Sequence, residues 1–408
     1  MLRQHMRQNL GYFFVVFYWC ILLILHNSPL SSIIKASQKT QFLFLGMLFF
    51  WGIGYYLALI IIPKKNNKVS CRPSFSKIQN QFIFFILCFI LLVLSLIGLK
   101  SGVFNMSYGD YFLRMRGAEA EALTGNSLID FGIKLFIYPM LLSCLFICIY
   151  YTRVNLINII LIFFSILFYS YLTQTNYATI AAMYIVGVYF ISNYNIFNFK
   201  YIMVILTPLL IVLIFAATTR YGKFNFVGMF KYYFVDYYTL GFYMFEVKID
   251  GLADAGMNYT LGRSVLGPIE LYIYQFLKIL GWGHVFFPAY TENIDYNAIF
   301  IPAKIDGRLS NAFGTIAYTF FRDFSYSGVL FGGFLGGLLL GIMKRKESTF
   351  AKLMYVYILF IFLKGNSVSP FEQAYIYITP LLIYIFTFCD KDIYRIFKYK
   401  TTGVSDEH

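Results

Sequence analysis

Residues 311–341 read NAFGTIAYTFFRDFSYSGVLFGGFLGGLLLG. Two opposite charges, Arg322 and Asp323, stand directly before a stretch, Phe324 to Met343, that carries none. A stretch of about 20 apolar residues, each rising 1.5 Å in a helix, crosses the hydrocarbon of a bilayer. Gly332 and Gly336, and Gly333, Gly337 and Gly341, recur every fourth residue. That spacing gives a helix small surfaces for close packing against a neighbour. The segment therefore reads as a membrane helix with an ionic doorstep.

The same test, carried outward, gives spans near 10–28, 41–62, 81–99, 132–151, 156–172, 177–193, 199–217, 324–343, 350–364 and 373–389. Composition agrees. The 408 residues are 59% hydrophobic, 21% aromatic and 13% charged, with mean hydropathy +0.67. A soluble domain carries about 25% charged residues. The expected fold is an all-α polytopic integral membrane protein of about ten transmembrane helices. About seven lie in residues 1–217 and about three in 324–408, and a large, partly helical loop fills 218–323.

Lysine and arginine set the orientation. With the N-terminus inside, Arg3, Arg7, Lys64, Lys65, Lys68, Arg72, Lys77, Arg153 and Lys200 fall on the cytosolic side. So do Lys344, Arg345, Lys346, Lys352 and the basic tail. The long loop holds as many acidic as basic residues. The net charge of +14 thus follows the positive-inside rule, and nucleic acid is not an expected partner. The expectation is N-in, C-in. Cys20, Cys88, Cys144 and Cys148 sit in apolar runs, and Cys71 and Cys389 in cytosolic segments. They outline neither a disulfide framework nor a metal site.

A connector of about 100 residues is expected to be functional or disordered. Here FKYYFVDYYTLGFYMF (230–245) and LGPIELYIYQFLKILGWG (266–283) are too apolar and aromatic for disorder. Both read as helices that lie in the interface or re-enter the membrane. In the first, Tyr232 and Tyr237 fit either an interfacial aromatic belt or a platform for sugar rings. An earlier loop, near 101–125, mixes Arg114 and Arg116 with Glu119 and Glu121, as solvated charge or an amphipathic shield.

Arginines punctuate the long loop: Arg220, Arg263, Arg308 and Arg322. The positive-inside rule removes cations from this side, so those that stay need a reason. Snorkelling to headgroups is one. Bidentate binding of a diphosphate is another, since the guanidinium fork matches phosphate oxygens. Asp323 reads as an ion-pair partner or helix cap, or as a group that positions a hydroxyl or takes its proton. His284, the loop's only histidine, is a second proton acceptor near neutral pH or an interfacial hydrogen-bonding residue.

On these residues the chain resembles the bacterial O-antigen and capsule repeat-unit polymerases (Wzy-type). The likeness covers the overall architecture and a motif-like C-terminal third: Asn311, Gly314, Thr315, Tyr318, Asp323, Phe324 and Gly328. Ser325 stands where that family commonly has glycine, and Asn176 where an arginine is looked for. The resemblance implies a glycosyltransferase in the bacterial cytoplasmic membrane with its site facing the periplasm or exterior. It would join oligosaccharide units carried on undecaprenyl diphosphate, with Asn311 and Tyr318 near the glycan. Membrane lipid, a chain-length regulator and a flippase are the implied partners. No cofactor and no metal is expected. An O-antigen ligase, or a flippase acting as a transporter, are the alternatives.

Overall fold

The computed structural model describes residues 9–63, 75–100, 132–151, 153–173, 177–192, 226–252, 254–297, 299–307, 309–310, 315–373 and 375–387. Several sequence expectations lie outside these residues: the span at 199–217, the loop with Arg114 and Glu119, and Asn176, Arg220, Arg308, Asn311 and Gly314.

The described chain is predominantly helical. The first elements are α1 (Leu10–Asn27), α2 (Gln38–Ile61), α3 (Lys77–Lys100), α4 (Tyr138–Tyr150), α5 (Leu156–Leu172) and α6 (Tyr177–Ser192). Then come α7 (Tyr237–Asp250), α8 (Gly267–Ile279), α9 (Ala289–Asn297), α10 (Ile316–Arg345) and α11 (Thr349–Lys364). The last is α12 (Tyr375–Thr387). A two-residue ladder pairs Ile301–Pro302 with Leu309–Ser310. Side chains fix several helix starts. Ser37, Asn155, Thr315 and Ser348 each accept a backbone N–H from the first turn of α2, α5, α10 and α11, an interaction worth about 1 kcal/mol.

Among the described residues, four helices are long and apolar enough to cross a membrane: α1, α2, α3 and α10. α3 shows why. Ile83, Leu87, Ile90 and Leu94 are buried against the bundle, while Phe82, Phe85, Phe89 and Leu92 on other faces stay exposed. A helix apolar on all sides suits a lipid environment. Each such side chain left in water would forgo about 2 kcal/mol of transfer free energy. Shorter apolar helices lie at Leu135–Tyr150, Leu156–Leu172, Ala178–Phe190 and Tyr375–Thr387.

Among the described residues the most extensive helix pairing is α2 with α10, and glycine makes it possible. A Cβ on Gly337 would lie 1.9 Å from the Trp51 carbonyl oxygen, and one on Gly333 2.4 Å from that of Met47. From the other side, a Cβ on Gly54 would lie 2.1 Å from the Phe334 carbonyl oxygen. The second glycine stripe faces elsewhere. Gly332 meets the Phe320 ring and Gly336 the Phe362 ring of α11. Beside this seam an aromatic cluster joins Trp19, Phe44 and Phe242, and the Trp19 Nε1–H donates to the Phe362 carbonyl at 3.0 Å.

The two aromatic stretches of the long loop behave differently. The first, a π-helical turn at Phe230–Asp236 followed by α7, inserts into the bundle, with Phe242 and Phe245 buried. A clasp holds its start: buried Asp236 accepts from the Ser32 N–H at 2.8 Å and from the Ser32 hydroxyl, with Lys304 4.0 Å away. The second, α8, stays at the surface.

α10 is one helix only in name. Phe324 (φ −144°, ψ 31°) and Ser325 (φ 58°, ψ −151°) leave the helical region. A Cβ on Gly332 would lie 2.3 Å from the Phe320 ring, although twelve residues of straight helix span about 18 Å. The chain therefore reverses sharply at 324–325. The long apolar half of α10 begins after this break, and Ile316–Asp323 is a short helix folded back on it.

Candidate functional site

The reversal leaves backbone carbonyls without helical partners. The loop segment around residue 260 takes them. Thr260 N–H donates to the Arg322 carbonyl at 2.8 Å and Leu261 N–H to the Asp323 carbonyl at 3.3 Å. Leu261 (φ 51°) and Gly262 (φ 95°) turn the loop around the broken end.

Asp323 completes this junction. Its buried carboxylate accepts from Thr260 Oγ1 at 2.5 Å, Ser264 N–H at 2.8 Å and Val265 N–H at 3.0 Å. A carboxylate with several such donors is a structural acceptor. Asp323 thus neither pairs with Arg322 nor caps its own helix. It anchors the turn that leads into α8. Adjacent helical side chains point about 100° apart, and Arg322 accordingly faces other groups.

Arg322 is fully buried. Its Nε donates to Asn293 Oδ1 at 2.9 Å and Nη1 to the Asn258 carbonyl at 2.5 Å, and Nη2 lies 3.3 Å from Glu292 Oε2. Asn293 also donates to Ser264 Oγ at 2.9 Å. One guanidinium therefore ties α9, the 258–264 loop and the short half of α10 together.

Arg263 lies nearer the surface, 46% exposed. It forks onto Glu270 of α8, with Nε to Oε1 at 2.6 Å and Nη2 to Oε2 at 3.2 Å, and Nη2 also reaches the Phe287 carbonyl at 3.0 Å. The bond to Glu270 raises its pKa above the usual arginine value. Glu270 in turn accepts the Ala289 N–H at 2.9 Å.

Behind Arg322, Tyr318 is buried, and its hydroxyl has no hydrogen-bond partner among the described residues. Burial raises its pKa, and the nearby Arg322 charge opposes that. Tyr296 stacks on Tyr318 at 6.4 Å and donates its hydroxyl to the Lys248 carbonyl at 2.8 Å. Lys248 is buried, which lowers its pKa to about 8 against the pull of Glu372.

The structure thus brings Arg263, Arg322, Asp323 and Tyr318 together at the loop end of the bundle. His284 is exposed on the turn after α8, and no described residue hydrogen-bonds to it. Tyr237 is half-buried at the start of α7, edge-on to Tyr238 at 5.3 Å. Tyr232 falls within the π-helical turn. The residues that sequence reasoning missed are the partners: Thr260, Ser264, Glu270, Glu292 and Asn293. The equal numbers of acids and bases in the loop were the available signal, but they name no pair. Among the described residues no group of His, Cys, Asp and Glu could hold a metal. No protein-family model, curated protein or solved structure matches the chain.

Proposed function

We propose that the chain is a multi-pass glycosyltransferase of the bacterial cytoplasmic membrane. It joins oligosaccharide repeat units carried on undecaprenyl diphosphate into O-antigen or capsular polysaccharide. In this reading ten spans cross the membrane, both termini are cytosolic and the loop end faces outside.

The observation that carries the reading is the ionic cluster at one end of an otherwise apolar bundle, with the Arg263 guanidinium half-exposed at its rim. In the reaction, a hydroxyl of the acceptor unit attacks the anomeric carbon of the growing chain. The bond from that carbon to the diphosphate oxygen breaks, and the lipid diphosphate leaves with the electron pair. Cations stabilise the charge on the leaving group. Arg263 serves this role by exchanging Glu270 for phosphate oxygens, with Arg220 and Arg308 as further candidates. Arg322 and Asp323, both buried and bonded to the surrounding loop, act as positioning residues. His284 is the candidate acceptor of the hydroxyl proton. Tyr232, Tyr237, Asn311 and Tyr318 stay candidates for the glycan side.

The test is purified protein in lipid, given an undecaprenyl diphosphate-linked repeat unit, with products resolved by size. A ladder of longer lipid-linked chains is expected. Arg263→Ala should weaken it at least about tenfold, the loss of one transition-state contact. No ladder from folded protein with its cognate substrate overturns the reading. Transfer to a lipid A-core acceptor would instead identify a ligase.

A further inference from the structure

α8 is amphipathic in the wrong sense for water. Leu266, Ile269, Ile273, Phe276 and Leu280 follow one another at spacings of three and four residues. That spacing puts them on one helix face, and all five are exposed, from 38% at Ile269 to 62% at Phe276. The helix's one acidic residue, Glu270, is turned inward to Arg263, and its one basic residue, Lys278, stays outside. Beyond the helix, Trp282 and Phe287 are exposed as well. An apolar surface of this extent marks a binding face.

We infer that this face is seated in the interfacial layer of the bilayer that holds the bundle, with lipid as its partner. Two observations select lipid. First, the patch is continuous with the exposed flank of α10. Exposed Leu261 leads to Gly262, whose Cβ position lies 4.0 Å from the Phe324 ring, and Tyr259 donates to Ser325 Oγ at 3.1 Å. From there exposed Phe331, Leu335 and Leu339 run along the membrane-crossing half of α10. Second, an apolar stripe with tryptophan at its edge and an outward cation is the pattern of helices that lie in the headgroup boundary.

The seating has a consequence for the cluster behind it. Arg263 is bonded to α8 through Glu270, so the membrane that holds α8 also sets the Arg263 guanidinium at headgroup depth. An anionic group carried on a lipid reaches it sideways from the leaflet. The inference does not depend on which reaction follows.

Trp282 reports on it directly. The emission of the full-length protein in phosphatidylcholine–phosphatidylglycerol vesicles is recorded, and that of Trp282→Phe is subtracted. The difference isolates Trp282 from the buried Trp19 and Trp51. Blue-shifted emission, quenched by lipids brominated high on the acyl chains and spared by aqueous iodide, is expected. Replacing Ile273 and Phe276 by Glu should restore iodide quenching without lowering the melting temperature. Strong iodide quenching of the parent overturns the inference in favour of water. Protection from both quenchers overturns it in favour of a covering protein. Stronger quenching by bromines at the chain ends than near the headgroups overturns the interfacial depth.

Discussion

The two halves of α10 solve opposite problems with the same backbone. From Tyr326 to Arg345 the helix is smooth, and carbonyl oxygens of α2 are set against the bare Cα atoms of Gly333, Gly337 and Gly341. From Ile316 to Asp323 it is fully buried in a network of directed hydrogen bonds. In lipid, apolar side chains gain little by meeting each other rather than acyl chains, so helix association relies on close van der Waals fit. At the loop end polar groups are taken out of water, and each needs its partner. The first half is held by shape, the second by chemistry, and Ser325 is the joint. Three substitutions probe that contrast.

Gly337→Leu carries the largest expected effect. Even a Cβ at this position falls 1.9 Å from the Trp51 carbonyl oxygen. That contact is backbone to backbone, so no side-chain rotation relieves it. A loss of about 3 kcal/mol or more is expected, seen as a large drop in the melting temperature in detergent. Leu339→Ala, on the exposed flank of the same helix, should change little. Similar melting of the two variants would break the claim that shape holds this half.

Arg322→Lys comes next. Lysine keeps the charge but loses the fork that serves Asn293, Asn258 and Glu292 at once. About 2 kcal/mol is expected, the cost of leaving buried acceptors unpaired. A double-mutant cycle with Asn293→Ala should return a clear coupling. Additive losses would mean that Arg322 acts only as a charge.

The contrast also explains how much the sequence reveals. Shape in a membrane writes a local signature: apolar length and a four-residue glycine period. Hence α1, α2, α3 and the long apolar half of α10 were legible as helices. Chemistry at the loop end leaves none. Asp323 finds Ser264 across 59 residues and Arg322 finds Asn293 across 29. No helical or strand period links such positions. Arginines and one aspartate could be singled out for their place in the chain, but Glu270, Glu292 and Asn293 acquire their roles only when the loop closes. The two aromatic stretches show the same limit. Their similar composition does not tell that Phe242 is buried among helices while Phe276 faces outward.

The smallest expected effect tests the joint itself. Ser325 sits at φ 58°, ψ −151°, at the edge of a region that only glycine occupies without strain, which for other residues costs on the order of 1–3 kcal/mol. Glycine at this place removes the strain. It also gives the unfolded chain more freedom, which takes back about 0.5–1 kcal/mol, and it loses the exposed bond from Tyr259. Ser325→Ala loses that bond too but keeps the strained backbone. The comparison of the two variants therefore isolates the backbone term, and Gly should exceed Ala by about 1 kcal/mol in chemical or thermal unfolding. Equal stabilities would show that the reversal is not strained, and that Thr260 and Asp323 hold a turn the chain adopts on its own.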